Sequence, residues 1–174
     1  MQRATRGAES ARRRSREAAS RDAIALLKSD HRQVESWFAD FRKARTDGRK
    51  GKLAAQICRA LLIHMTIEEE TFYPAFLEAT GDTPKHHEAE VEHAAAKKLI
   101  AEIADMKPGD DYYDARVKVL SEMIKHHVKE EEKPGGLFAE ARKSGMDLDG
   151  LGARLAARKA RLEGLGGHGG RLEA

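Results

Sequence analysis

Four stretches of this 174-residue chain repeat apolar side chains at alternating three- and four-residue steps, and each interrupts its own pattern with a histidine. Such spacing marks one face of an α-helix, and a helix apolar on one face must bury it against a neighbour. The first stripe reads Ile24, Leu27, Val34, Phe38 and Phe41, with His31 in the gap. The second reads Leu53, Ile57, Leu61 and Phe72 and carries His64 and Glu68. Ala89, Ala96, Ile100 and Ile103 frame His93 in the third, and Val117, Leu120 and Ile124 continue into His127 and Glu131 in the fourth.

Cap and turn signals set the lengths of these segments. Ser20 serves as an N-cap with Asp22 in the first turn, and the helix runs to about Arg45 before Asp47-Gly48 through Gly51 closes it. The second helix spans about Lys52 to Leu77, with Pro74 bending its last turn. Gly81-Asp82-Thr83-Pro84 opens the third, which ends near Met106, and Asp110 caps a fourth that reaches Glu132. Short links between long helices predict an all-α, up-down-up-down four-helix bundle over residues 22–145. Past Pro134-Gly135-Gly136 the sequence predicts a short helical turn. An appended helix from Leu148 to Leu162, with a basic outer face, and a Gly-rich end then fill residues 146–174.

Composition narrows the alternatives. With 35% charged and 5% aromatic residues and four prolines, the chain suits salt-laced helices rather than a sandwich or barrel. It contains no long apolar run for a membrane span and no segment of signal-peptide type, and Cys58 is its single cysteine. A cytoplasmic setting is expected, and a disulfide or a cysteine-built metal site within the chain is excluded. Residues 1–21 hold seven arginines against two glutamates and no Leu, Ile, Val or Phe, which predicts a disordered basic tail. Nucleic acid is the partner such a tail would suit.

The polar residues inside the seams carry the functional information. An unpaired buried carboxylate costs several kcal/mol, and no lysine or arginine shares these stripes with Glu68 and Glu131. A bound cation resolves the conflict. Histidine–acid pairs four apart occur at 31/35, 64/68, 86/90, 126/130 and 127/131, against roughly one expected by chance. Only 64/68 and 127/131 place both partners on a seam. Four imidazoles and two carboxylates exceed one tetrahedral ion and suit two ions bridged by the carboxylates. Nitrogen and oxygen donors without thiolate favour non-haem iron, ahead of manganese or zinc.

The segments Asp30-His31-Arg32, His64-Met65-Thr66-Ile67-Glu68-Glu69-Glu70-Thr71-Phe72-Tyr73-Pro74, Glu92-His93 and His126-His127-Val128-Lys129-Glu130-Glu131-Glu132 resemble the hemerythrin-like, or HHE cation-binding, family. The resemblance covers roughly residues 22–145. It implies a four-helix bundle around an oxo- or hydroxo-bridged di-iron centre, with ligands at His31, His64, Glu68, His93, His127 and Glu131. Hemerythrins proper carry a further histidine four residues before the one matched by His93; here that position is Ala89. Glu90 is the candidate replacement, and His126 is a candidate outer group competing with His127 for the inward register.

Three functional readings stay open. The iron centre binds or senses O₂ or NO, or takes part in iron and oxidative-stress handling. Alternatively it decomposes peroxide as an enzyme. In the third reading the bundle is structural and the basic tail binds nucleic acid.

Overall fold

A computed structural model describes residues 22–165, and every regular element among them is helical. The expected tail over residues 1–21 and the Gly-rich end lie outside the described residues. In chain order the elements are α1 (Ala23–Lys43), α2 (Asp47–Ile67), a π-helical segment (Glu68–Phe72), α3 (Tyr73–Thr80), α4 (Thr83–Ala104), α5 (Tyr113–Glu132), α6 (Leu137–Lys143) and α7 (Leu148–Leu165).

The caps are local and explicit. Asp22 caps α1, its carboxylate accepting the Ala25 N–H at 2.8 Å, so the helix starts later than a Ser20 cap would place it. Asp82 caps α4 by accepting from the Lys85 N–H, one residue ahead of the expected Thr83. Asp110 caps nothing; it accepts from the Lys107 N–H and closes the turn before α5, which begins after Tyr112 at φ 70°.

The largest departure from expectation is the start of α2. Thr46 caps it, Asp47 supplies the favourable negative charge in the first turn, and Gly48 and Gly51 lie inside the helix. Gly51 is a packing residue rather than a turn residue. A Cβ there would sit 2.7 Å from Cγ of Pro108, in the α4–α5 loop.

The bend expected at Pro74 is taken up before it. Proline has no N–H and its ring crowds the carbonyl four residues back. The helix widens ahead of it, and the Tyr73 N–H donates to the Glu68 carbonyl, a five-residue step.

Buried hydrophobic residues form two clusters with a polar belt between them. One holds Ile24, Leu27, Phe72, Phe76, Leu137 and Phe138 with Leu151 and Leu155; the other holds Val34, Phe38, Ile57, Leu61, Ile100 and Leu120. His31, His64, Glu68, His93, His127 and Glu131 are all buried in the zone between. Helix α7 packs on α1, α2 and the π segment, and Leu155 in it is fully buried. Leu155→Ala should therefore cost about 2–5 kcal/mol, as for other core truncations. Urea unfolding followed by circular dichroism measures it; an unchanged midpoint would mean that α7 adds no core.

Candidate metal centre

The four seam histidines turn their Nε2 atoms inward in two pairs. His31 and His64 Nε2 lie 3.0 Å apart, and His93 and His127 Nε2 3.2 Å apart. Two carboxylates straddle the pairs. Glu68 presents Oε1 to His64 Nε2 at 3.3 Å and Oε2 to His93 Nε2 at 3.4 Å. Glu131 Oε2 lies 3.4 Å from His31 Nε2 and 3.6 Å from His127 Nε2. Both Glu68 oxygens and Glu131 Oε2 are buried without a hydrogen bond. Two groups of atoms close enough to share an ion result, His31–His64–Glu68 and Glu68–His93–His127, with Glu68 common to both.

Each imidazole is aimed from behind. His31 Nδ1–H donates to Glu132 at 2.8 Å, His93 Nδ1–H to Glu69 at 2.9 Å and His127 Nδ1–H to Glu92 at 2.7 Å, while His64 Nδ1 faces Asp30 at 3.5 Å. An ionised carboxylate only accepts, so each pairing assigns the proton to Nδ1 and leaves Nε2 free to act as a ligand. These four acids were not singled out from the sequence. A signal was present: each directly precedes or follows a seam residue, in Asp30-His31, Glu68-Glu69, Glu92-His93 and Glu131-Glu132. One step along a helix turns a side chain by about 100°, off the seam and toward the adjacent helix.

Tyr73 was also missed. It is fully buried, and its hydroxyl donates to Glu131 Oε1 at 3.1 Å and lies 3.2 Å from His93 Nε2. The π segment explains both facts. In a regular helix Tyr73 would point about 140° away from Glu68, whereas the five-residue π step stacks the two on one face.

The remaining candidates fall outside the cluster. Glu90 is exposed, and its near neighbour is His86 at 3.7 Å; the structure does not bring it to the seam imidazoles, because it is rotated away from the stripe holding Ala89 and His93. His126 is 61% exposed and reaches the other oxygen of Glu92 at 3.3 Å, so it touches His127 only through that acid. From α6, Phe138 stacks on His31 with ring centres 5.8 Å apart. Gly136 permits that placement, since a Cβ there would lie 2.3 Å from the Glu130 carbonyl oxygen.

Electrostatics match this geometry. Burial opposes charge on His64, but the Glu68 carboxylate and Asp30 outweigh it and raise His64 to about 10. His93 rises to about 9 against the same burial penalty, lifted by Glu68 and Glu69. Burial drives His31 down to about 4. Glu68 is held well below the usual carboxylate range, its burial overcome by His64 and His93, whereas burial and the Glu68 charge raise Glu131 to about 7. Without metal, protons on His64 and His93 thus supply the positive charge that the buried carboxylates need.

The donor set fits divalent or trivalent cations. Four nitrogens, two bridging carboxylates, three orphaned carboxylate oxygens and preset tautomers are what such ions require, and no thiol is near.

Comparison with known proteins agrees with this geometry. Residues 22–134 match the hemerythrin HHE cation-binding domain. The chain belongs to that family. A solved structure of a hemerythrin HHE cation-binding domain-containing protein from Mycobacterium kansasii superposes with a TM-score of 0.72 at 22% identity, covering 85% of this chain and 91% of that one. A protein named DNA nickase, from Nostoc sp. (strain PCC 7120), is 27% identical over 119 residues, which is 67% of this chain and 32% of the relative. The HHE chain described here therefore spans about a third of that protein's length. No helix among its described residues is long and apolar enough to cross a membrane.

Glu132 provides a test of the aiming shell in metal-free protein. The His31 N–H, followed by the Arg32 and Lys28 charges, lowers it from 4.5 to about 2. A depressed carboxylate stabilises the fold above its unfolded value and loses that contribution as pH falls from 4.5 toward 2. Glu132→Gln should lose less stability across that window than the wild type. Urea midpoints between pH 5 and about pH 2 measure the difference, and parallel curves would show that Glu132 does not stabilise the fold.

Proposed function

We propose that this HHE chain is a non-haem di-iron protein that binds or senses a small ligand such as O₂ or NO, or takes part in iron and oxidative-stress handling. In this reading α1, α2, α4 and α5 alternate in direction as an up-down bundle. His31, His64, His93 and His127 are terminal ligands, and Glu68 and Glu131 bridge the two ions. The observation that carries it is the placement of Glu68, with one oxygen toward His64 of one pair and the other toward His93 of the second. Bound iron supplies one-electron chemistry and a coordination position for an exogenous group. Tyr73 adds a seventh oxygen donor beside Glu131.

Access and room support a small ligand. A groove of about 360 Å³ between α1 and α5 reaches His31, with Phe38, Ile124 and Val128 as its apolar wall. Behind Ile124 and Val128, against all four imidazoles, is a cavity of about 10 Å³ that is also lined by Leu61 and Met65. That is room for one water-sized molecule.

Peroxide decomposition is the second reading, and Tyr73 favours it. Cleaving an O–O bond to give water requires protons, and the buried phenol and Glu131 hold protons at the cluster. Steady-state peroxide consumption distinguishes this enzyme from a carrier or sensor. A nucleic-acid role is a proposal resting on the seven arginines of residues 1–21, and a salt-dependent gel shift lost on their deletion tests it.

Protein loaded anaerobically with ferrous iron should hold two ions per chain and melt at a higher temperature than metal-free protein. His127→Ala and Glu131→Ala should lose at least one ion, while His126→Ala and Glu130→Ala should keep both. Iron analysis of the four variants reads this directly, and a single ion in the wild type would falsify the dinuclear centre. Because binding displaces the protons on His64 and His93, iron affinity should fall with falling pH. A chelator competition series reads that slope, and a flat profile would show that no protons are displaced.

A further inference from the structure

The four carboxylates that hold Nδ1 atoms are themselves held by cations, and three of the four cations follow one rule. Glu69 pairs with Lys97 at 2.6 Å, from α4, the helix that carries His93. Glu92 pairs with His126, from α5, which carries His127. Glu132 pairs with Arg32 and with Lys28 at 3.5 Å, from α1, which carries His31. In each case the helix that offers the imidazole also offers the partner of its carboxylate.

Asp30, which faces His64, breaks the rule. Around His64, α2 presents Ala60, Ile63, Met65 and Ile67, and none can carry charge. The partner of Asp30 is instead Lys159 of α7, which binds Oδ1 while Oδ2 faces His64 Nδ1. Asp30 is mostly buried, with 15% of its side chain exposed, so without Lys159 its charge would be desolvated and opposed by no lysine or arginine. A carboxylate in that state protonates or swings outward, and either change releases His64 from its tautomer and orientation. Helix α7 lies beyond the match to the HHE domain, which ends at residue 134.

We infer that Lys159 is a positioning residue for the metal centre, acting through Asp30 on His64, so that helix α7 completes the shell of one of the two ion sites. This rests on the di-iron reading above and adds an asymmetry to it. The site formed by His31, His64 and Glu68 depends on α7, and the site formed by Glu68, His93 and His127 does not. Arg158, the adjacent residue, supplies the internal control. It also ties α7 to the bundle, through two bonds to Glu70 at 2.6 and 2.9 Å, but Glu70 touches no imidazole.

The test is a cobalt(II) titration of the full chain, read by visible absorption and by competition with a chelator. Wild type, Lys159→Gln, Lys159→Arg, Asp30→Asn and Arg158→Gln are compared, with circular dichroism confirming the fold of each. Lys159→Gln should weaken one ion about tenfold and leave the other unchanged, splitting the titration into two steps. Asp30→Asn, which reaches the same pair from the other side, should reproduce the split, and Lys159→Arg should abolish it. Arg158→Gln should titrate as wild type. Equal affinities in wild type and Lys159→Gln overturn the inference, as does an equal loss at both ions or the same loss in Arg158→Gln. Wild-type protein that takes up no cobalt overturns the di-iron reading, and this inference with it.

Discussion

Two carboxylates buried among four imidazoles set the terms for the rest of this molecule. Glu68 and Glu131 are essentially inaccessible to solvent, and their charge has to be met inside the protein. Protons on His64 and His93 can meet it, and so can cations; a purely apolar bundle has neither problem nor use for either. The two hydrophobic clusters above and below the polar belt supply the stability that the belt does not. A belt of this kind is tolerable because its polar atoms face one another across the helix interfaces rather than facing hydrocarbon.

The Nδ1 partners close into a cycle. Asp30 on α1 faces His64 on α2, Glu69 just past α2 holds His93 on α4, Glu92 on α4 holds His127 on α5, and Glu132 on α5 holds His31 on α1. No helix aims its own histidine. The orientation of every Nε2 therefore depends on the packing of two helices at once, and the cluster is a property of the assembled bundle. A local sequence motif supplies the donor, and tertiary structure supplies its direction.

How much of this could be read from the chain follows from geometry. The seams were legible because a 3.6-residue period puts His31, His64, Glu68, His93, His127 and Glu131 in line with hydrophobes whose burial is not in question. The register on α5 had to be argued from that stripe, since His126-His127 offers two candidates one step apart. The orienting acids were overlooked because a single-helix projection places them at the boundary and shows nothing of the helix next door. The start of α2 was misplaced because Gly48 and Gly51 read as a turn, when Gly51 is small to admit Pro108, more than fifty residues further along the sequence. Lys159 was invisible for the same reason at greater range. Its partner lies on the first helix, and the basic face of the last helix read as merely solvated.

The π segment has a consequence for how this long helical arm tolerates change. Glu68–Phe72 holds one residue more than the turn strictly needs, so the residues before Glu68 and after Phe72 keep different counts around the same axis. Shortening the arm by one residue at Glu70 or Thr71 would let the backbone relax into an unbroken α-helix. His64 and Glu68 would keep their places, while Tyr73 and Phe76 would rotate by about 100°, one off the cluster and the other off the core. Length is therefore fixed here more tightly than identity: a substitution at Thr71 is a local matter, and a deletion there is felt by everything that follows.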